Sequence, residues 1–243
     1  MLKHFEYCSD LHLDFYPEAC AILDSWTAQT EILVIAGDFC ELRHLDIRWL
    51  EILRNKWPNI IYVPGNHDYY GNNFSPKTLD VMRTFCNVLD REEISVNDIV
   101  FAGATLWFPH KRTNLEQYIS DFHAIKPTGY TQFHNWVNSE HMRDKWFFQW
   151  KAQADVWITH HMPFAQSIAP RWAGHHLNRF FYAQCEDMLS ECRKKPKAIV
   201  HGHTHDACTY SFLDTPVYCN PMGYPNEIQR YAPYEPRIIE IDT

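Results

Sequence analysis

Asp10 and His12 stand two residues apart. Gly37-Asp38 follows, then Gly65-Asn66-His67-Asp68, His160-His161 and Gly202-His203-Thr204-His205. Carboxylate oxygens, an amide oxygen and imidazole nitrogens are the donors that hold borderline and hard divalent cations. In an extended segment Asp10 and His12 point to the same side and can grip one ion, and His203 and His205 repeat that spacing and can split between two. Asp38, a carboxylate beside a glycine, suits a bridge between two ions. Asn66 adds a neutral oxygen that limits the negative charge, and His67 beside it is free to stay off the metals and donate a proton. One such motif is weak evidence, whereas five in this order point to a two-metal hydrolytic site.

Each motif follows an apolar, strand-like run: His4 to Cys8, Ile32 to Ala36, Ile60 to Val63, Val156 to Thr159 and Ala198 to Val200. Between the first three, Glu18 to Ala28 and Leu42 to Lys56 carry apolar residues at helical spacing. This βαβαβ pattern predicts parallel strands with helices outside them. In such sheets functional groups gather beyond the carboxyl ends of the strands, where Asp10, Asp38, Asn66, His161 and His203 all fall. Ser75-Pro76 reads as a helix start, and Ile99 to Leu106 as a further strand. His175 to Cys192 reads as one helix ending at the basic run Arg193-Lys194-Lys195, and late strands are expected at Tyr210 to Leu213, Val217 to Cys219 and Arg237 to Ile241. The aromatic-rich stretch at about 108–152 looks helical, with a capping box over Asn114 to Gln117. We read it as a helical insertion within a single domain spanning residues 1–243.

The hydrophobic fraction of 46% supports a substantial core, and the formal net charge of −8 argues against a duplex nucleic-acid surface. A phosphorylated small molecule or nucleotide remains compatible, because bound cations supply local positive charge. The N-terminus lacks the apolar segment of a signal peptide, and no run approaches a membrane span, so a cytoplasmic protein is expected. The eight cysteines fit free thiols in a reducing compartment. Cys8 and Cys40 as metal ligands are the lesser reading, since Asp and His already fill the nearby positions.

Together, Ser9-Asp10-Leu11-His12, Gly37-Asp38, Gly65-Asn66-His67-Asp68, Thr159-His160-His161-Met162-Pro163 and Gly202-His203-Thr204-His205 resemble the signatures of the calcineurin-like metallophosphoesterases. The resemblance implies an α/β fold, a four-layer αββα sandwich of two mixed β-sheets flanked by helices, with two metals at one edge. It implies that Asp10, His12, Asp38 and His205 hold the first metal. Asp38, Asn66, His161 and His203 would hold the second. His67 would be the general acid or the stabiliser of the leaving oxygen, Asp68 would orient its imidazole, and a bridging hydroxide would attack phosphorus in line. Asn66, His67 and His160 would face the substrate. At the fourth motif the family register, ligand His then any residue then Pro, favours His161 over His160, with the reverse assignment open. The donor set suits two divalent ions, manganese first, with iron, zinc or cobalt as alternatives.

The leading expectation is a phosphomonoesterase or phosphodiesterase. A nuclease acting on nucleic-acid ends is the second reading, with Trp107, Trp136 and Trp146 as candidate stacking platforms. A non-catalytic metal-binding scaffold is the third. Asn220-Pro221-Met222-Gly223-Tyr224 resembles a late loop of some family branches, often with Arg where Met222 stands, or is a plain turn. His175-His176 is a candidate pocket-lining pair.

Overall fold

A computed structural model describes residues 2–71, 73–74, 76–130, 132–227 and 233–242, without the side chains of 73, 74 and 76. Ser75, the expected helix cap, lies outside the described residues. In chain order the strands are β1 (Leu2–Cys8), β2 (Ile32–Ala36), β3 (Asn59–Val63), β4 (Asn73–Phe74), β5 (Asn87–Val88), β6 (Glu92–Val96), β7 (Ile99–Gly103), β8 (Lys126–Pro127), β9 (Val156–Ile158), β10 (Ala198–His201), β11 (Cys208–Phe212), β12 (Thr215–Cys219) and β13 (Arg237–Asp242). One sheet has the order β13-β1-β2-β3-β5, the other β11-β12-β10-β9-β7-β6, and β4 pairs with β8 alone. The inner pairs β1–β2, β2–β3, β7–β9, β9–β10 and β10–β12 are parallel, whereas β13, β6 and β11 run antiparallel at the edges.

Alternation along the strands builds three apolar layers. Phe5, Val34, Ile61 and Val63 of the first sheet meet Phe101, Val156, Ile158 and Val200 of the second. Leu33, Ile35, Ile60 and Tyr62 face the other way, onto helices α1 (Ala19–Ser25) and α2 (Ile47–Lys56) through Leu23, Leu50 and Leu53. On the far side, Ala102, Trp157, Ile199 and Val217 pack on Phe147, Phe148, Met188 and Leu189. Both faces of each inner strand are therefore buried, which is why these strands are continuous apolar runs. The four-layer αββα sandwich expected from the motifs is the architecture.

The remaining helices are α3 (Asp80–Arg83), α4 (Asp121–Ala124), α5 (Phe133–Trp146) and α6 (Glu186–Glu191). Between Phe108 and Ala152 lie α4, α5 and a π-helical turn, Phe147–Lys151, that prolongs α5. Arg91, between β5 and β6, pins α5 through Glu140 at 2.8 Å and Asp144 at 2.6 Å. The capping box is shifted by one residue from the expected place, with Thr113 as cap and Glu116 reaching back to it. The single helix expected over His175 to Cys192 is instead a 3₁₀ segment, His176–Phe180, and α6. Between them the backbone of 181–185 pairs with Met162 and Pro163, through Met162 N–H to Phe181 O (3.3 Å), Ala183 N–H to Met162 O (2.8 Å) and Cys185 N–H to Pro163 O (3.1 Å). Those bonds outcompete helix continuation.

Candidate metal centre

The carboxyl ends of β1, β2, β3, β9 and β10 converge on one point. Two donor groups form there, Asp10 with His12 and His205, and Asp38 with His160 and His203. Asp38 also belongs to a third group, with His12 and His67, and so joins the two. The nearest approaches are His12 Nε2 to His205 Nε2 at 3.1 Å and His203 Nδ1 to His160 Nε2 at 3.2 Å. Asp38 Oδ2 lies 3.7 Å from His12 Nε2 and 3.4 Å from His160 Nε2. Asn66 Oδ1 is 2.9 Å from His160 Nε2. Donors each about 2.1 Å from a shared cation sit roughly 3.0–3.4 Å apart, so this oxygen and nitrogen set fits divalent cations.

The backbone is bent to achieve this. Asp10, His12, Asp38, His203 and His205 all have positive φ, between 42° and 69°. Non-glycine residues held there cost of order 1–3 kcal/mol each, a cost that clusters at functional sites. Two glycines admit the close approaches. A Cβ at Gly65 would stand 2.1 Å from Asp38 Oδ1, and one at Gly37 (φ +85°) 2.2 Å from His160 Nδ1.

The structure separates His160 from His161 and brings His160 into the donor group. Val156, Ile158 and His160 share one strand parity and face the first sheet, whose loops carry Asp10, Asp38 and Asn66. His160 Nδ1–H donates to Ala36 O at 3.0 Å, which turns Nε2 into the cluster. His161 falls on the opposite parity. Its Nδ1 lies 3.4 Å from Thr105 O, and its ring packs beside Trp107, Phe108 and His203.

Asp68 is engaged by the backbone. Its carboxylate accepts backbone N–H bonds from Asp38 (3.1 Å), Phe39 (3.1 Å), Cys40 (3.4 Å) and Gly65 (2.6 Å). It ties the β2 and β3 loops together and does not orient the His67 imidazole. That ring is held otherwise: Tyr70 stacks on it with centroids 4.1 Å apart, and the Tyr224 hydroxyl lies 3.2 Å from its Nε2. His67 N–H donates to Asp38 Oδ1 at 2.9 Å.

Several further residues support the donors. Asp121, at the start of α4, is buried and accepts from Asn66 Nδ2 (2.8 Å) and the Tyr70 hydroxyl (2.5 Å). Glu227 holds His205 Nδ1 at 2.6 Å. Tyr224 lies in the late loop quoted above and stacks on His12 with centroids 4.3 Å apart. That loop is more than a turn, since Gly223 N–H donates to Asp10 O at 2.8 Å and Met222 N–H to Ser9 O at 2.9 Å. Ser9 Oγ–H donates to Asp10 Oδ2 at 2.5 Å, and His203 N–H to Asp10 Oδ1 at 2.8 Å. Cys8 and Cys40 are buried core thiols and belong to neither donor group.

Burial holds the imidazoles of His12 and His203 well below the usual histidine range, so both are neutral and able to accept a cation at neutral pH. Burial also opposes charge on His160, but Asp38 and Asp10 outweigh it and hold that ring up to about 9. Metal binding there must displace a proton.

A cleft of about 390 Å³ opens on the centre. Tyr118, Ile119, Trp172, Leu177, Phe181 and Tyr224 are among its walls, and His175 of the expected pair also lines it. Trp107 and Trp136 are buried in the core and cannot stack on a base, and Trp146, though exposed, does not line the cleft.

Residues 7–207 match the family model of the calcineurin-like phosphoesterases. The chain belongs to that family. A phosphoester hydrolase is therefore what the motifs build, and the family implies divalent cations at a dinuclear site. The phosphoesterase is 25% identical to an uncharacterized protein of Acanthamoeba polyphaga mimivirus, over 99% of this chain and 98% of that one. The structure of a phosphopantetheinyl hydrolase from Mycobacterium tuberculosis superposes with a TM-score of 0.71 at 17% identity, covering 95% of this chain and 93% of that one. A putative 5'-nucleotidase from Staphylococcus aureus gives a TM-score of 0.52 at 16% identity, covering 92% of this chain and 49% of the other. These two likenesses show the shared fold. Among the described residues no helix is long and apolar enough to cross a membrane.

Proposed function

We propose that this phosphoesterase hydrolyses a phosphomonoester or phosphodiester of a small molecule or nucleotide with two divalent cations, manganese first. Asp10, His12, Asp38 and His205 would hold one cation, and Asp38, Asn66, His160 and His203 the other. The observation that carries this reading is the pair of donor groups joined through Asp38. When bound, the cations supply Lewis acidity to the phosphoryl oxygens and lower the pKa of a water nucleophile.

The chain's own residues do the rest. His67 projects its Nε2 toward the cleft beside the donors and is the group placed to protonate the leaving oxygen. Tyr70 and Tyr224 fix the ring plane, and the Asp38 carboxylate fixes its backbone. Asn66, held by Asp121, presents its oxygen inward. The apolar wall of Tyr118, Trp172, Leu177 and Phe181 suits the organic part of the ester and excludes water from it. We read residues 1–243 as a single domain in which the stretch at about 108–152 is an insertion, which supplies Asp121 to the site. We place its action in the cytoplasm, in keeping with eight free cysteines.

The test is metal analysis of the manganese-loaded protein together with turnover of an aryl monoester and its matched diester. Bound cations with chelator-sensitive turnover of either ester support the reading. Chelator-insensitive turnover, or failure to bind metal, contradicts it.

A further inference from the structure

Strands β11 and β12 form an antiparallel hairpin in which Cys208 stands directly opposite Cys219. Directly opposed residues have Cα atoms about 4.5–5.5 Å apart, within the span a disulfide bridges. Directly opposed in the register, the two thiols share one face of the sheet. In no other strand pair among the described residues do two cysteines face each other.

The surroundings make the two sulfurs unequal. His201, at the end of β10, has its Nδ1 2.9 Å from Gly202 O, which assigns the proton to that nitrogen and leaves Nε2 as an acceptor. Nε2 lies 3.7 Å from Cys208 Sγ and 2.9 Å from Ser167 Oγ, which in turn lies 2.7 Å from the Tyr210 hydroxyl. Cys208 is partly exposed, whereas Cys219 is buried. Contact with Cys219 first and then with His201, whose Nε2 is placed to accept the thiol proton, pulls the Cys208 thiol down to about 5, and burial pushes the Cys219 thiol up. A partly exposed thiol with a base beside it thus sits against a buried thiol that can follow it.

We propose that Cys208 is a modification site that reacts with hydroperoxides, and that Cys219 resolves the product into a cross-strand disulfide. The Cys208 thiolate attacks one peroxide oxygen. The S–O bond forms, the O–O bond breaks, and the second oxygen leaves as water or an alcohol after taking a proton. The Cys219 sulfur then attacks the sulfenic sulfur. The S–S bond forms, the S–O bond breaks, and the oxygen leaves as water with the Cys219 proton. Two thiols lose two electrons to one peroxide, and a dithiol reductant reverses the reaction. The hairpin register already opposes the two residues, so no strand has to shift.

The experiment is peptide mapping of the full-length, metal-loaded protein after brief exposure to hydrogen peroxide and alkylation. The expected product is a linked pair of peptides containing Cys208 and Cys219, two hydrogens lighter than the separate thiols and lost on treatment with dithiothreitol. Cys219→Ser should leave a sulfenic acid at Cys208 that a cyclic dione traps, and Cys208→Ser should leave Cys219 reduced. In the unoxidised protein Cys208 should alkylate about tenfold faster than Cys20 or Cys192. If Cys208→Ser does not fold, the wild-type map and Cys219→Ser decide. Cys208 staying reduced while Cys20 or Cys192 oxidises, or a disulfide between any other pair, overturns the proposal.

Discussion

The side-chain amide of Asn66 donates to Asp121 Oδ1 at 2.8 Å, while its carbonyl oxygen lies 2.9 Å from His160 Nε2. One carboxylate, 55 residues away in the chain, thus decides which end of the amide faces the metal centre. Outer partners of this kind typically alter metal affinity by roughly ten- to a hundredfold when removed. Asp121→Ala is expected to weaken the cation held by Asn66 and His160 by about that factor, while the cation at Asp10 and His205 is retained. Competitive titration with a metal-sensitive dye measures both. Equal loss of both cations would mean that Asp121 supports folding and not the amide.

His160 and His161 separate cleanly. His160→Ala is expected to lose one bound cation and turnover together, because its Nε2 points among Asp38, Asn66 and His203. His161→Ala is expected to keep both cations and to lose about 2–4 kcal/mol of stability, as a buried ring packed on Trp107 and Phe108. Metal analysis and thermal unfolding of the two variants check this. The reverse order would restore His161 as the ligand.

His67 and Tyr224 form the second functional contact. His67→Ala should lower kcat by roughly a hundred- to ten-thousandfold with both cations retained, the usual range for a positioned proton donor. Tyr224→Phe removes only the hydroxyl beside His67 Nε2 and keeps the ring stacked on His12. A fall of about three- to tenfold in kcat with little change in KM is expected, since the phenyl ring still positions the imidazole. Steady-state kinetics on one aryl ester test both variants. A rise in KM alone would move Tyr224 from His67 to substrate binding.

Buried neutral histidines also set a pH dependence. Burial depresses His12, His161 and His203 below their unfolded value, so below about pH 6.5 the unfolded chain binds more protons than the native one. Stability from these groups is present above that pH and is lost as pH falls through it. His160 and His205, which are raised, and Asp68 and Asp144, whose carboxyls burial raises to about 7, bind more protons in the native chain over part of this range and offset part of that loss. His161→Gln removes one of the three depressed rings and should shrink the fall in melting temperature of the metal-free protein from pH 6.5 to 5. An unchanged pH profile would mean that this ring is solvated in the native state.

The sequence makes the metal donors visible because each closes an apolar strand, and a strand end is a place the sheet must bring to a common edge. Asp10, His12, Asp38, Asn66, His203 and His205 are all brought together that way. Adjacent residues at one strand end are not told apart that way. His160 and His161 differ only in parity, and parity is fixed by which sheet Val156 and Ile158 pack against. Asp121 and Glu227 are invisible for another reason. They reach Asn66 and His205 across long loops, and nothing in a helix start or a polar turn marks such a contact. The expected helix at His175 to Cys192 fails because backbone pairing with Met162 and Pro163, unreadable from spacing, interrupts it.

The most direct measurement is metal content together with hydrolysis of matched aryl phosphomonoester and phosphodiester, for the wild type and His67→Ala after manganese loading. The account predicts two bound cations in both proteins, turnover of at least one ester by the wild type, and its loss in His67→Ala. Absence of bound metal, or full turnover by His67→Ala or in excess chelator, would contradict it.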